Sequence, residues 1–278
     1  MSSEDLKQKV LDANRRFHEE LVTRGVYSKQ PFLNDSNRER VRRIVQRLAW
    51  EAGNEAILDV GCGTGFILSI ANGYFNNLAG VDISSEMLKQ VAISGVDLRV
   101  AQVENLPFPD DRFNVITLHG VLHHLFELKV PFGEIYRCLK PGGIFYADES
   151  PNAYCLRTLH GVNTSDAALS PFLREAAASI QRDVEVYEKK YQLEPDIVRM
   201  AMYRDKVLGG IAEEEVREAL AKVGFQGVNY QYRWFLGQGK YFGTGYDEVS
   251  NRVEEYLRSL LPLTRPLFKY ISFTARKR

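Results

Sequence analysis

The first fifty residues carry two stretches in which apolar residues recur every three or four positions, the spacing of an amphipathic helix. One stretch covers residues 4–24 and the other covers residues 36–52, with Ser36 as its predicted cap. A break around Gly25–Pro31 separates them. We therefore treat residues 1–54 as an N-terminal segment of predicted helices.

From residue 55 onward the pattern changes, because short apolar runs alternate with helix-like stretches. Such alternation predicts a parallel sheet that is covered by helices on both faces. The predicted strands are 56–60, 78–82, 97–101, 113–118 and 143–148. The predicted helices are 65–72, 85–94 and 128–139, with a shorter turn around 119–125. Residues 55–149 are therefore the predicted core of the fold.

Residues 150–212 interrupt this alternation, because they contain few strand-like runs and much helical material. Residues 171–186 and 195–207 are the clearest helical stretches, so we predict a helical cap that is inserted into the core. The alternation then resumes over residues 213–278. Its predicted elements are a helix at 213–222, a strand at 227–235, a helix at 246–261 and a last strand at 268–275.

The amino-acid composition indicates which kinds of partner the protein does not bind. Lys+Arg and Asp+Glu both number 36, so the chain lacks the basic excess of a nucleic-acid binder, and we expect no nucleic-acid partner. No apolar run approaches the length of a membrane span, and the N-terminus lacks the apolar core of a signal peptide. The three cysteines, Cys62, Cys138 and Cys155, do not suggest a disulfide framework. We expect a cytoplasmic protein with no membrane partner, and the oligomeric state stays open.

Residues 57–65, Ile-Leu-Asp-Val-Gly-Cys-Gly-Thr-Gly, are the most informative stretch. An apolar run typical of a buried parallel strand leads directly into Gly61, Gly63 and Gly65. Glycines let the backbone turn tightly and approach a ligand closely, since they carry no Cβ. A helix that follows such a turn presents its free N–H groups there. The unit therefore predicts a nucleotide-binding turn.

The sequence also restricts which nucleotide this turn can hold. Phe66 stands where the dinucleotide fingerprint has its third glycine, so NAD(P) fits poorly. The turn contains no lysine, so it is not a P-loop. Asp82 ends the next predicted strand, about 20 residues beyond the turn, where a carboxylate accepts hydrogen bonds from both ribose hydroxyls.

Two further motifs follow the third and fourth predicted strands, and a last motif forms a predicted helix end and turn before the fifth strand. They are Glu104-Asn105-Leu106-Pro107-Phe108, Leu122-His123-His124-Leu125 and Leu139-Lys140-Pro141-Gly142-Gly143. The ordered set resembles the class I S-adenosylmethionine-dependent methyltransferases, and is similar to their ubiquinone/menaquinone-type small-molecule members. The resemblance is strong over residues 55–149, where the motifs lie. Over residues 213–278 it rests only on the order of the predicted helices and strands. The sequence departs from the family at Gln102 and Asn114, which stand where the family often carries aspartate, so the resemblance does not extend to adenine contact through side chain 102.

The resemblance implies both a fold and an activity. The expected fold is α/β, a Rossmann-like, doubly wound, mostly parallel seven-stranded sheet whose last strand is antiparallel. The expected cofactor is S-adenosyl-L-methionine, and the expected reaction moves its methyl group by in-line displacement to O, N or C of a small-molecule acceptor. Two alternatives stay open: an enzyme of the same fold with non-methylating chemistry, and a catalytically silent cofactor-binding accessory protein.

The resemblance also implies a set of cofactor-binding residues. They are Asp59, Gly61, Cys62, Gly63, Gly65, Asp82, Ile83, Met87, Val103, Glu104 and His119. For three of them a structural role competes: Asp59 as an anchor of the turn, Asp82 as a helix cap and Glu104 as a turn cap. We expect no metal site, because the sequence offers neither zinc-like spacing nor a carboxylate cluster for magnesium.

Catalytic and acceptor-binding candidates are fewer. His123 and His124 are candidates for a general base, although such a pair also orients a loop through its backbone. Candidates for acceptor binding are Tyr27, His124, Tyr154 and Tyr203, since acceptor pockets are mostly apolar with a few polar groups. Tyr27 or Phe32 is a further candidate for a lid over the cofactor.

Overall fold

Seven strands form one sheet in the computed structural model, which describes residues 2–29, 33–241 and 248–278. The strands are β1 (Ala56–Val60), β2 (Asn77–Asp82), β3 (Asp97–Val100), β4 (Phe113–His119), β5 (Leu139–Pro151), β6 (Gln226–Phe235) and β7 (Phe268–Arg276). Their order is β3-β2-β1-β4-β5-β7-β6. Neighbours are parallel from β3 to β5, and β7 is antiparallel to both β5 and β6. The predicted seven-stranded sheet with an antiparallel last strand is confirmed.

Helices flank and cap this sheet. They are α1 (Ser3–Thr23), α2 (Asp35–Ala52), α3 (Phe66–Ala71), α4 (Ser85–Leu88), α5 (Lys129–Cys138), α6 (Ala153–His160), α7 (Pro171–Gln181), α8 (Asp183–Tyr191), α9 (Pro195–Ala201), α10 (Tyr203–Lys206), α11 (Glu213–Val223), α12 (Gln238–Tyr241) and α13 (Glu248–Ser259). Short 3₁₀ turns occupy Tyr27–Lys29, Leu122–His124 and Arg265–Leu267. In the described ranges no helix combines the length and the apolar character that crossing a membrane requires.

The sheet has a hydrophobic core on each face, because successive strand residues point to opposite sides. On one face, Leu58 and Ile116 pack with residues of α5 and α11 such as Phe132. On the other face, Ile57 and Val115 pack with residues of α2 and α3. Two-sided coverage explains why the central strands read as continuous apolar runs.

A third, smaller core joins the N-terminal helix to the cap. Phe17 and Leu21 of α1 pack against Ile197, Val198 and Ala201 of α9. The two helices lie far apart in the sequence, so no local pattern predicted this contact. It brings α1 close to the carboxyl ends of the strands, where the residues of the glycine turn lie.

Two predicted elements have different bounds in the structure. Helix 85–94 ends at Leu88, because the β-branched residues Val91 and Ile93 leave the helix and pack beside Gly65. The predicted turn at 139–143 lies inside β5 as an irregularity, since Leu139 pairs with Phe113 while Ile144 pairs with Val115.

The predicted helical stretches of the cap and of the C-terminal part also differ in detail. Residues 171–186 divide between α7 and α8, and residues 195–207 divide between α9 and α10. The helix predicted at 246–261 is observed as α13, while residues 246–247 lie outside the described ranges. Phe32, one of the two lid candidates, lies outside them as well.

Gly80 of β2 offers a test of how tightly the turn packs on the sheet. A Cβ at this position would lie 2.9 Å from both Cys62 Sγ and Leu68 Cδ1. Overpacking of this kind costs about 1–3 kcal/mol, so we expect Gly80→Ala to lower the free energy of unfolding by that amount in urea titrations. Gly73→Ala is the control, because nothing lies within 4 Å of its Cβ position. Equal stability of the two variants would contradict the packing.

Candidate functional site

A cavity of about 370 Å³ opens at the carboxyl ends of the parallel strands. Ends of β1, β2, β4 and β5 form its floor, and the segment Ala101–Glu104 forms one side. Residues of α1 and of the cap segment 187–205 complete the wall. In open parallel sheets ligands bind in this crevice, next to the point where the strand order reverses. Here that point lies between β1 and β4.

The glycine turn is held to β2 by backbone hydrogen bonds. The N–H groups of Gly61 and Cys62 both donate to the carbonyl of Val81, at 2.8 and 2.9 Å. Gly61 and Gly63 have positive φ angles of 69° and 53°, which other residues rarely adopt. A Cβ on Gly63 would lie 2.7 Å from the Tyr27 hydroxyl oxygen. The turn is therefore fixed, and its surface lies close to the Tyr27 side chain.

Asp82 links the turn to the cavity. Its carboxylate is buried and accepts from Gly63 N through Oδ2 and from Ser84 N through Oδ1, both at 2.9 Å. Burial raises the pKa of Asp82, although these backbone hydrogen bonds oppose the increase. The cap of α4 is Ser84, whose Oγ accepts from Met87 N at 3.3 Å. A carboxylate has about four acceptor positions, so Asp82 retains acceptor capacity toward the cavity that it lines.

Three of the predicted cofactor residues, Asp59, Cys62 and Gly65, do not line the cavity. Asp59 is buried and accepts a hydrogen bond from Thr117 Oγ1 at 2.6 Å. Burial raises the pKa of Asp59 to about 7, although the bond from Thr117 opposes the increase. Cys62 packs toward Gly80, and Gly65 begins α3 in the left-handed conformation. Asp59 is thus bonded to β4, and both of its predicted roles, holding the cofactor and anchoring the turn, stay predictions.

The segments that follow β2 and β3 give the cavity a mainly apolar lining with one acidic group, Glu104. Ile83, Met87, Val103 and Glu104 all line it, and their binding of a cofactor stays a prediction. Glu104 Oε2 is buried and has no hydrogen-bond partner among the residues that the structure describes. Burial raises the pKa of this carboxyl. A buried polar atom in this state fits a ligand that brings a hydrogen-bond donor.

A buried ionic network lies at the carboxyl end of β5. Arg40 Nη1 contacts Asp148 Oδ2 at 2.7 Å, and Arg233 Nη2 contacts Glu149 Oε1 at 2.7 Å. Tyr146 donates its hydroxyl proton to Asp148 Oδ2 at 2.5 Å. Glu149 has a φ of 55° and lines the cavity. This network was not predicted from the sequence. The one sequence feature that pointed to it was the pair of adjacent acidic residues, Asp148 and Glu149, at the end of a predicted strand.

His119 lines the cavity beside this network. Its ring lies 5.4 Å from the ring of Phe66, and burial lowers its pKa. His119, Asp148 and Glu149 offer possible ligand atoms within 4.8 Å of one another. Both carboxylates are already paired with Arg40 and Arg233, so the geometry favours a structural network over a cation site.

His123 and His124 lie side by side on the cavity wall, with ring centroids 4.0 Å apart. His124 Nδ1 lies 2.6 Å from the carbonyl of Ala201, which can only accept, so this nitrogen carries the proton. The backbone carbonyl of His124 accepts from Asn14 Nδ2 at 2.9 Å. Burial lowers the pKa of His124 to about 3, so its ring is neutral at physiological pH. His124 therefore ties its loop to both α1 and the cap.

The acceptor-binding candidates fall into two groups. Tyr27 lines the cavity, where burial raises the pKa of its hydroxyl. Tyr203 lies behind the wall, with its ring 5.3 Å from that of Phe126. Tyr154 lies away from the cavity, where its hydroxyl donates to Glu214. The structure thus brings Tyr27 and His124 together and leaves the other two tyrosines outside.

Sequence reasoning missed the contribution of α1 to the cavity. The additional wall residues from this helix are Leu11, Asn14, Phe17, His18 and Leu21. A signal was present, because Asn14 and His18 lie on the same helical face as the apolar residues Phe17 and Leu21. Polar side chains on a buried stripe are uncommon unless they have a partner.

Part of the chain is similar in sequence to known methyltransferases. Residues 58–147 match the family described as methyltransferase domain. Over 111 residues the chain is 33% identical to a ubiquinone/menaquinone biosynthesis C-methyltransferase of Desulfotalea psychrophila, covering 38% of this chain and 45% of that protein. Over 218 residues it is 26% identical to a demethylmenaquinone methyltransferase of Staphylococcus aureus, covering 76% of this chain and 83% of that protein.

A solved structure extends the comparison of the fold. It is that of an S-adenosylmethionine-dependent methyltransferase from Archaeoglobus fulgidus, with a TM-score of 0.53 and 18% identity. The match covers 86% of this chain and 94% of that one. The sequence match to the Desulfotalea protein, by contrast, spans less than half of that protein's length.

Proposed function

We propose that the chain, as a member of the class I S-adenosylmethionine-dependent methyltransferases, transfers a methyl group to O, N or C of a small-molecule acceptor. One observation carries the proposal. A single cavity joins the glycine turn and Asp82 to a wall of aromatic and histidine side chains. We assign the first part to the nucleoside and the second part to the acceptor.

The residues that line the first part fit S-adenosylmethionine, which supplies a methyl group on a sulfonium cation when bound. Gly61 and Gly63 let the backbone approach it, and the acceptor capacity left on Asp82 suits the two ribose hydroxyls. Ile83 and Met87 offer apolar contact to adenine. The unpartnered Glu104 oxygen matches the amino group of that base.

The chain itself then has two tasks. The first is to exclude water and fix the acceptor, which alone lowers a barrier by roughly 7–11 kcal/mol when the alignment is good. We assign this task to the N-terminal segment 1–54 and the cap 150–212, and we assign the binding of the cofactor to the core 55–149, whose sheet 213–278 completes. The second is to accept a proton from a hydroxyl acceptor, for which His123 and His124 are the candidates. His123 is the more available, because His124 Nδ1 is bonded to Ala201.

The cysteines bear on where this reaction takes place. Cys62, Cys138 and Cys155 are free thiols in the structure, and all three are buried. We propose a reducing compartment, the cytoplasm, as the location, because unpaired buried thiols are ordinary there.

Binding of S-adenosylhomocysteine to the purified chain tests the first part of the proposal. We expect Gly63→Ala to weaken this binding at least roughly thirtyfold in calorimetry, because the added methyl strains the backbone and displaces the Tyr27 hydroxyl. Gly95→Ala is the matched control. Its φ is also positive, at 76°, but nothing lies within 4 Å of its Cβ position. It should lose about 1 kcal/mol of stability and keep its affinity.

Turnover tests the second part. Incubation of the chain with S-adenosylmethionine and a panel of small acceptors should give a product heavier by one methyl group, with an equal amount of S-adenosylhomocysteine. Cleavage of the cofactor without a methylated product would favour the non-methylating alternative. Tight binding without any turnover would favour the accessory protein. Binding of NADH in preference to S-adenosylhomocysteine would refute both parts.

A further inference from the structure

The described residues on the acceptor side of the cavity, the part lined by aromatic and histidine side chains, offer no cation to an incoming molecule. Among the described residues that line the cavity, none is lysine or arginine. Its two carboxylates on this side are already paired, Glu149 with Arg40 and Arg233, and Asp205 with Lys206 at 2.9 Å. An anionic acceptor would therefore lose its hydration without gaining a partner, and a cationic one would compete with existing ion pairs.

The same wall contains two buried imidazole nitrogens that lack partners. His18 Nδ1 and His123 Nδ1 both have no hydrogen-bond partner within the part of the chain that the structure describes. Both rings line the cavity. Native proteins rarely leave such atoms unsatisfied, because a buried polar group without a partner destabilises the fold. The pair therefore points to a ligand that completes their hydrogen bonds.

His124 holds these two rings in place. Its ring lies 4.8 Å from that of His18, edge to face, and 4.0 Å from that of His123. Its own Nδ1 is bonded to the carbonyl of Ala201, so the middle ring belongs to the scaffold while the outer two stay available. Burial lowers the pKa of all three, that of His18 to about 4, so they present neutral rings.

We propose that His18 and His123 bind the methyl acceptor by hydrogen bonds, and that this acceptor is an uncharged, mainly apolar molecule with a hydroxyl group. The inference rests on the proposed function and specifies the substrate class of the same site. A hydroxyl both donates and accepts, so it satisfies a neutral imidazole in either tautomer. The apolar frame fits the surrounding side chains of Phe17, Phe126 and Met202.

Three probes with the same ring and different charge test the substrate class. Phenol, benzoate and benzylamine are titrated into the full chain saturated with S-adenosylhomocysteine, up to about 10 mM, where millimolar Kd values are visible. The imidazole nitrogens are observed by NMR. We expect phenol to move the His18 and His123 resonances, while benzoate and benzylamine leave them in place. The exposed His160 is the internal reference. An equal or larger response to either charged probe, or no response to phenol, overturns the proposal.

Variants test the role of His18 itself. His18→Phe keeps a ring but removes both nitrogens, so the Kd for phenol should rise roughly fivefold, the equivalent of one lost hydrogen bond. His18→Gln, which can still donate and accept, should recover part of this affinity. His160→Phe should change nothing. Affinity for S-adenosylhomocysteine is measured on each variant as the check of folding.

The outcomes separate this inference from the proposed function. If the wild-type chain does not bind S-adenosylhomocysteine, the proposed function fails. If it binds S-adenosylhomocysteine and His18→Phe binds phenol as tightly as the wild type, only the assignment of His18 fails.

Discussion

The Asp82→Asn variant is expected to bind S-adenosylhomocysteine at least about tenfold more weakly than the wild type, since a hydrogen bond to a charged group contributes roughly 1.5–3 kcal/mol. An amide has one acceptor oxygen, and its NH₂ group donates. It cannot accept from both Gly63 N and Ser84 N and also from the ribose hydroxyls. Calorimetry on both proteins measures the difference.

Asp82 also anchors the glycine turn, so a second measurement must separate the two roles. The penalty for removing one ribose hydroxyl from the ligand, with 2′-deoxy-S-adenosylhomocysteine, is compared in the wild type and in Asp82→Asn. If Asp82 contacts the ribose, the penalty is smaller in the variant, because the partner of the hydroxyl is already gone. Equal penalties in the two proteins would mean that Asp82 acts on the turn alone.

The sequence predicted the central sheet well because the signals there are local. Apolar runs such as Ile57–Val60 are buried on both faces, and the glycines that follow them need positive φ angles. Both requirements are met within a few neighbouring residues, so they can be read without knowledge of the fold. The match of residues 58–147 to a known family falls on the same segment.

The missed parts depend on residues that are distant in the sequence. His18 reaches the cavity only because α1 packs on α9, which lies about 180 residues away. The helix predicted to end at residue 94 ends at Leu88. Val91 and Ile93 pack beside Gly65 instead, and this tertiary contact outweighs the local helix propensity. Tyr154 was predicted to line the acceptor pocket because it is a tyrosine. In the structure it lies on α6 and its hydroxyl donates to Glu214.

The ionic network at the end of β5 joins three such distant segments. Arg40 belongs to α2, Asp148 to β5 and Arg233 to β6, and Asp148 is fully buried. A buried ion pair gives little net stability over an apolar substitute, but breaking it on one side leaves an uncompensated charge. The network therefore fixes how α2 and β6 meet the floor of the cavity.

Asp148→Asn is accordingly expected to lower the free energy of unfolding by about 3–5 kcal/mol at neutral pH, because two guanidinium groups then share the single carboxylate of Glu149. Urea titration followed by circular dichroism measures this change. Glu218→Gln is the control. It removes a carboxylate from an exposed pair with Lys222 at 2.5 Å and should cost less than about 1 kcal/mol. Similar losses in both variants would contradict the role given to the buried network.

The pH dependence of the free energy of unfolding is a second test of the role given to Asp148. Burial alone would raise the pKa of Asp148, but the charges of Arg233 and Arg40 outweigh it and hold this pKa well below its ordinary value. A carboxyl whose pKa is lower in the folded state contributes stability above its unfolded pKa, about 3.9, and loses it as the pH falls further. Wild-type stability should therefore fall below about pH 4 more steeply than that of Asp148→Asn, which has no carboxyl to protonate at this position. Parallel curves for the two proteins in acid would show that Asp148 is not held ionised by its arginine partners.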